Sequence, residues 1–187
     1  MSVLALLALV AISAQEKPPE SLIPVPSWDL WQNSAAGSSV TLEVEIAGKK
    51  TRKIVTLKEK TASRMTFEEI VDVDGKRRPA TERVLSKPAG SPGVYDTVGV
   101  SGDCKECKKP WKDHKPMERI PLKEKRTIGQ AEVACEGSES ISFGCDGKES
   151  VRTKFSYSDD VPGELVRKEF RDKTTEYTIT CLAFVKK

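Results

Sequence analysis

A single histidine, His114, stands in a chain of 187 residues whose aromatic content is only 6%. One imidazole leaves a Ser-His-Asp or Cys-His arrangement without any alternative base. No GxSxG, HExxH or Gly-rich phosphate loop is present either, so no enzyme class is indicated. Charge of one sign is also missing in bulk: 31 Lys and Arg face 28 Asp and Glu, a formal +3. A balance that even argues against a nucleic-acid partner held by phosphate attraction. After residue 14 no apolar run approaches the roughly 18 residues that span a bilayer, so no transmembrane span is expected once that segment is removed. A c-type haem is excluded as well, because Lys108 stands where the CxxCH motif needs His.

What is present begins with an uninterrupted apolar stretch, Val3 to Ile12, followed by Ser13 and Ala14. Its length suits a signal-peptide core, so residues 1–14 are expected to be a signal peptide and the protein exported, to a periplasm or the extracellular space. In such a compartment the five cysteines are first of all disulfide candidates. Residues 15–27 (QEKPPESLIPVPS) carry four prolines and are expected to form an extended tether. The folded part, a single β domain over 28–187, should open on a short helical turn with Ser27 as cap and Trp28 and Trp31 on one face.

From Val40 the hydrophobic period is two: Val40, Leu42, Val44 and Ile46 alternate with polar residues. A second strand follows over 51–60, a third over 64–73, and a weaker fourth, interrupted by Pro79, ends at Val84-Leu85. Asp74-Gly75 is a two-residue hairpin signal. After an irregular connection at about 87–121, alternation resumes at 123–128, 130–136, 141–145, 151–157 and 164–170, and in a long last strand through Tyr177 and Ile179. Asp146-Gly147 marks another hairpin. The fold class is therefore mainly β: a curved antiparallel sheet or half-barrel of about ten strands with very little helix. Charge clusters such as Lys49 to Lys53 read as its solvated face.

The connection holds the reactive groups. Cys104 and Cys107 form a CxxC pair, with His114 seven residues on. Three readings stand side by side: a disulfide-closed knuckle, a redox dithiol, and a metal site, for which two thiolates and an imidazole are three ligands suited to Zn. The fourth ligand would have to be Asp103, Asp113 or a returning Cys135; apart from this Zn alternative no cofactor is indicated. Nine basic and five acidic residues between Asp103 and Arg126 give the stretch a local +4, so contact with an anionic envelope surface is a further alternative. Cys135, Cys145 and Cys181 each fall on the apolar parity of a strand and are expected to point inward, with Cys135–Cys181 a candidate bridge.

Three short features, SYSDDVPGELVRKEF from Ser156 to Phe170, Trp31 followed by Gly37-Ser38-Ser39-Val40, and Thr56-Leu57-Lys58, resemble small exported bacterial β proteins. Their layout is similar to the periplasmic lipoprotein-carrier half-barrel. That resemblance implies a non-enzymatic protein whose concave sheet face binds a lipid or hydrophobic polypeptide. The candidate lining is Leu42, Val44, Phe67, Phe143, Phe155, Tyr177 and Ile179 beneath Trp28 and Trp31.

Overall fold

The structure is a computed structural model that describes residues 19–88, 104, 106–110 and 113–187. The signal-like segment 1–14, Asp103 and Trp111 lie outside the described residues. Among the described residues ten strands are formed: β1 (Ser39–Ile46), β2 (Lys49–Lys60), β3 (Arg64–Val73), β4 (Lys76–Arg77), β5 (Thr81–Ser86), β6 (Glu118–Ile128), β7 (Ala131–Phe143), β8 (Glu149–Tyr157), β9 (Leu165–Arg171) and β10 (Glu176–Val185). A 3-10 turn (Pro19–Leu22) and one helical turn, α1 (Trp28–Trp31), precede the sheet. No helix there is long and apolar enough to cross a membrane.

All ten strands belong to one antiparallel sheet in the order β4-β3-β2-β1-β10-β9-β8-β7-β6, with β5 beside β4 on β3. The expected antiparallel sheet of about ten strands is thus observed, and it is not closed. It consists of two meanders, β1–β5 and β6–β10, joined where β1 pairs with β10. In each meander neighbours in sequence are neighbours in space, because tight turns connect them. Ala47-Gly48 and Asp74-Gly75 both have two successive positive φ angles, the backbone that matches strand twist in a two-residue hairpin. Pro79 cannot donate to a ladder, and the fourth strand accordingly splits into β4 and β5 around it. In contrast, 130–136 and 141–145, read from sequence as separate strands, merge into the single strand β7 up to Phe143.

The core lies mainly on one face of the central strands. Val40, Leu42 and Val44 of β1 share that face with Val55 of β2 and with Ile179 and Cys181 of β10. Val44, Leu57, Met65, Phe67 and Ile179 have no exposed surface, each such burial contributing about 1.5–3 kcal/mol. Trp31 of α1 covers them, its ring edge-on to Phe67 at 5.1 Å. Ser27 precedes α1 in extended backbone, but its hydroxyl makes no capping bond. The helix is held instead by packing and by Lys60, whose Nζ donates to the carbonyls of Gln32 and Ser34. Packing also reaches back into the proline-rich segment, where Ile23 and Pro26 are buried. The second meander rolls far enough for β6 to approach β10.

Candidate metal centre

The sheet order explains why the Cys-containing connection ends where it does. β5 and β6 lie at opposite edges of the sheet, with residues 87–117 between them in sequence. Eight inter-strand steps amount to about 40 Å if flat, well within the reach of that many residues. Glu118, the first residue of β6, pairs with Ile141 near the end of β7. The connection therefore arrives beside the tip of the β7–β8 hairpin. Lys115 marks the junction: its Nζ lies 3.6 Å from the centre of the Phe143 ring and 3.0 Å from the Glu118 carboxylate.

Two tight turns meet there. In one, the Cys104 N–H donates to the Lys109 carbonyl at 2.8 Å, and the Lys108 N–H donates back to the Cys104 carbonyl at 2.9 Å, with Lys108 at φ 58°. In the other, the Gly147 N–H donates to the Gly144 carbonyl at 2.9 Å, Gly147 has φ 73°, and Asp146 Oδ1 accepts from the Lys148 N–H. This second turn presents Cys145. The ligand atoms of Cys104, Cys107, His114 and Cys145 all lie within 4.8 Å of one another. Cys104 Sγ is 3.5 Å from Cys145 Sγ, and Cys107 Sγ is 3.3 Å from His114 Nε2. Cys104 is buried and the other three are half-buried.

The backbone prepares Cys104 for ligation. N–H groups of Cys107 and Glu106 point at its sulfur and hold its pKa below the usual thiol value. Cys145 behaves oppositely, its thiol pushed up to about 12 by hydrogen bonds shared with Cys107 and Cys104 and by burial. Without a cation, neighbouring sulfurs resist carrying several negative charges at once. A divalent ion removes that conflict.

Cys145 is the candidate ligand that sequence reasoning missed. Alternation extended through Phe143 to Cys145 assigns it inward on a strand; the strand ends at Phe143 and Cys145 sits in the turn. Its flanking Gly144 and Gly147 were the available signal. Asp113 and Cys135, the other described candidates for a fourth ligand, are not in the cluster. Cys135 and Cys181 are buried as expected, and all five cysteines are free thiols. Burial raises the pKa of both, that of Cys181 to about 12.

The expected apolar lining is distributed differently. Leu42, Val44, Phe67, Tyr177, Ile179 and Trp31 belong to one buried cluster, and Trp28 packs at its margin. Phe155 stacks on Tyr157 at 6.2 Å, and Phe143 lies beneath Lys115 beside the Cys/His cluster. An open cleft of about 550 Å³ lies at the end of the sheet between Leu22, Ile46 and Tyr177, with Glu45, Glu176 and threonines on its walls. Much of the basic stretch is neutralised: Lys115, Lys123, Lys125 and Arg126 pair with Glu118, Glu136, Glu132 and Glu124.

No protein-family model matches this sequence, and no curated protein does. Among solved structures, the chain is similar to the crystal structure of a "putative lipoprotein" from Parabacteroides distasonis ATCC 8503. The two are 14% identical, with a TM-score of 0.44 over 81% of this chain and 96% of that one.

Proposed function

We propose that this chain is a zinc-binding exported β protein in which Cys104, Cys107, His114 and Cys145 hold one structural ion. The observation that carries the reading is the mutual spacing of the four ligand atoms. A tetrahedron with Zn–S near 2.3 Å and Zn–N near 2.0–2.1 Å has edges of about 3.8 Å between sulfurs and about 3.6 Å between sulfur and nitrogen. The separations of 3.5 and 3.3 Å fall close to those edges. Four protein ligands leave no open position for substrate, which favours a structural role over a catalytic one. The ion would fasten the connection before β6 to the β7–β8 hairpin. Elemental analysis of protein expressed with defined metals should give one zinc per chain, and Co²⁺ substitution should give tetrahedral thiolate spectra. Cys145→Ser and Cys107→Ser should each weaken binding at least tenfold; stoichiometry indifferent to both substitutions would reject the site.

A second reading, a hydrophobic ligand or polypeptide held by the sheet, draws support from the open cleft, whose volume is in the range of ligand pockets. Leu42, Val44, Phe67 and Ile179 favour it less, since they already fill one another's space. Native mass spectrometry tests it: co-purifying lipid is the expected result, and a clean apo mass would remove it.

A further inference from the structure

We infer that Cys104 and Cys145 form a reversible disulfide in competition with the metal, making the centre an oxidation-sensitive clip. This rests on the zinc-binding reading above. The two sulfurs are in contact at 3.5 Å although 41 positions separate them in sequence. Closing that gap to the ≈2.05 Å of a disulfide takes about 1.5 Å, the scale of a side-chain adjustment in two turns. Cys107 also lies beside Cys145 but is engaged by His114 Nε2 as well, whereas Cys104 Sγ meets Cys145 Sγ directly at 3.5 Å. Their bond would join the same two segments as the ion does, so the connection stays fastened in either state. Cys135 and Cys181, 2% and 4% exposed in the core, are shielded from exchange.

The oxidant is a low-molecular-weight disulfide, RSSR. Half-exposed Cys145, held as thiolate while it ligates the ion, attacks one of its sulfurs, forming a Cys145–S–S–R mixed disulfide and releasing RS⁻. Cys104 Sγ then attacks the Cys145 sulfur, forming the Cys104–Cys145 bond and releasing the second RS⁻. Two electrons pass from the cysteine pair to RSSR, which ends as two thiols after taking up two protons, from the cysteines or from solvent. The ion, deprived of two of its four donors, dissociates.

The test uses the reduced full chain loaded with Zn²⁺ and titrated with oxidised glutathione, with a chromogenic chelator reporting free zinc and non-reducing peptide mapping reporting the linkage. One zinc should be released per disulfide, the linkage should be Cys104–Cys145, and Cys145→Ser should abolish it. Cys135 and Cys181 should alkylate only after denaturation. A loaded chain that forms a Cys104–Cys107 linkage instead, or no linkage at all, overturns the inference and leaves zinc binding intact. The same titration on metal-free reduced chain separates the two claims: a Cys104–Cys145 bond in a chain that takes up no zinc upholds the thiol pair and rejects the metal reading.

Discussion

Lys53 and Glu69 show how one residue pair can carry charge into the core face of this sheet. Lys53 is 5% exposed and Glu69 6%, on the face that also bears Leu42 and Val55. The charge run from Lys49 to Lys53 is therefore not wholly solvated, as its composition suggested. Lys53 Nζ lies 2.8 Å from Glu69, and Arg83 of β5 donates to the other carboxylate oxygen at 2.6 Å. Burial pushes the Glu69 carboxyl up, but the two cations outweigh it and hold the group below its usual value. Because the folded pKa is depressed, the stabilisation is fully present above the unfolded value of about 4.3 and is lost as pH falls through the lower folded one. Glu69→Gln should thus flatten the acid limb of the stability profile. It should also destabilise the protein at neutral pH by about 3–5 kcal/mol, because Lys53 loses its buried partner. The double variant Lys53→Met, Glu69→Leu should recover most of that loss in denaturant titrations, since the desolvated charges are then gone. A double variant as unstable as Glu69→Gln would show that the pair does more than satisfy itself.

Among the elements, β7 is the most constrained, and Gly137 is the reason. A Cβ at this position would lie 2.0 Å from the Phe155 carbonyl oxygen of β8, backbone that cannot step aside. Gly147, at the hairpin tip with φ 73°, has open space around it. Strand propensity alone would favour Ala at 137, yet Gly137→Ala should cost about 3 kcal/mol, against about 1 kcal/mol for the left-handed strain of Gly147→Ala. Chemical denaturation of both variants checks the order. The same strand shows what the sequence could convey. Alternation of Val133, Cys135 and Ile141 announces a strand, but Gly137 and Ser138 interrupt the apolar pattern, so one strand reads as two. The turns Asp74-Gly75 and Asp146-Gly147 were legible because their backbone demands those residues. The pairing of Lys53 with Glu69 was not, because which strand lies beside which is set by the whole sheet. For the candidate metal centre, Cys104, Cys107 and His114 are close in sequence and were visible as a group, whereas Cys145 arrives through the register of β6 on β7.

At the scale of the whole molecule, the sheet and the candidate metal centre are built from different contacts. The sheet closes its two meanders through β1 and β10, and the chain end is fixed there as well: the Lys187 N–H donates to Ser38 Oγ at 3.0 Å, and the Ala35 N–H donates to the Lys187 carbonyl. Apart from buried Cys104 and Ile141, the buried apolar residues belong to one cluster of Trp31, Leu57, Phe67, Ile179 and their neighbours, none of which is a candidate ligand. Small zinc domains that lack such a core unfold without metal. Here the apolar cluster supplies the folding free energy, and on the zinc-binding proposal the ion would restrain only the segment that arrives at the β7–β8 tip. Chelation should therefore leave the far-ultraviolet circular dichroism unchanged while loosening a limited region. Hydrogen exchange followed by mass spectrometry is the appropriate measurement, since it separates local from global opening. Loss of protection confined to peptides covering 104–114 and 143–148, with β1, β2 and β10 unaffected, is the expected result. Exchange rising together across both meanders would mean that the ion holds the fold itself, and that the apolar face joining β1 to β10 is insufficient without it.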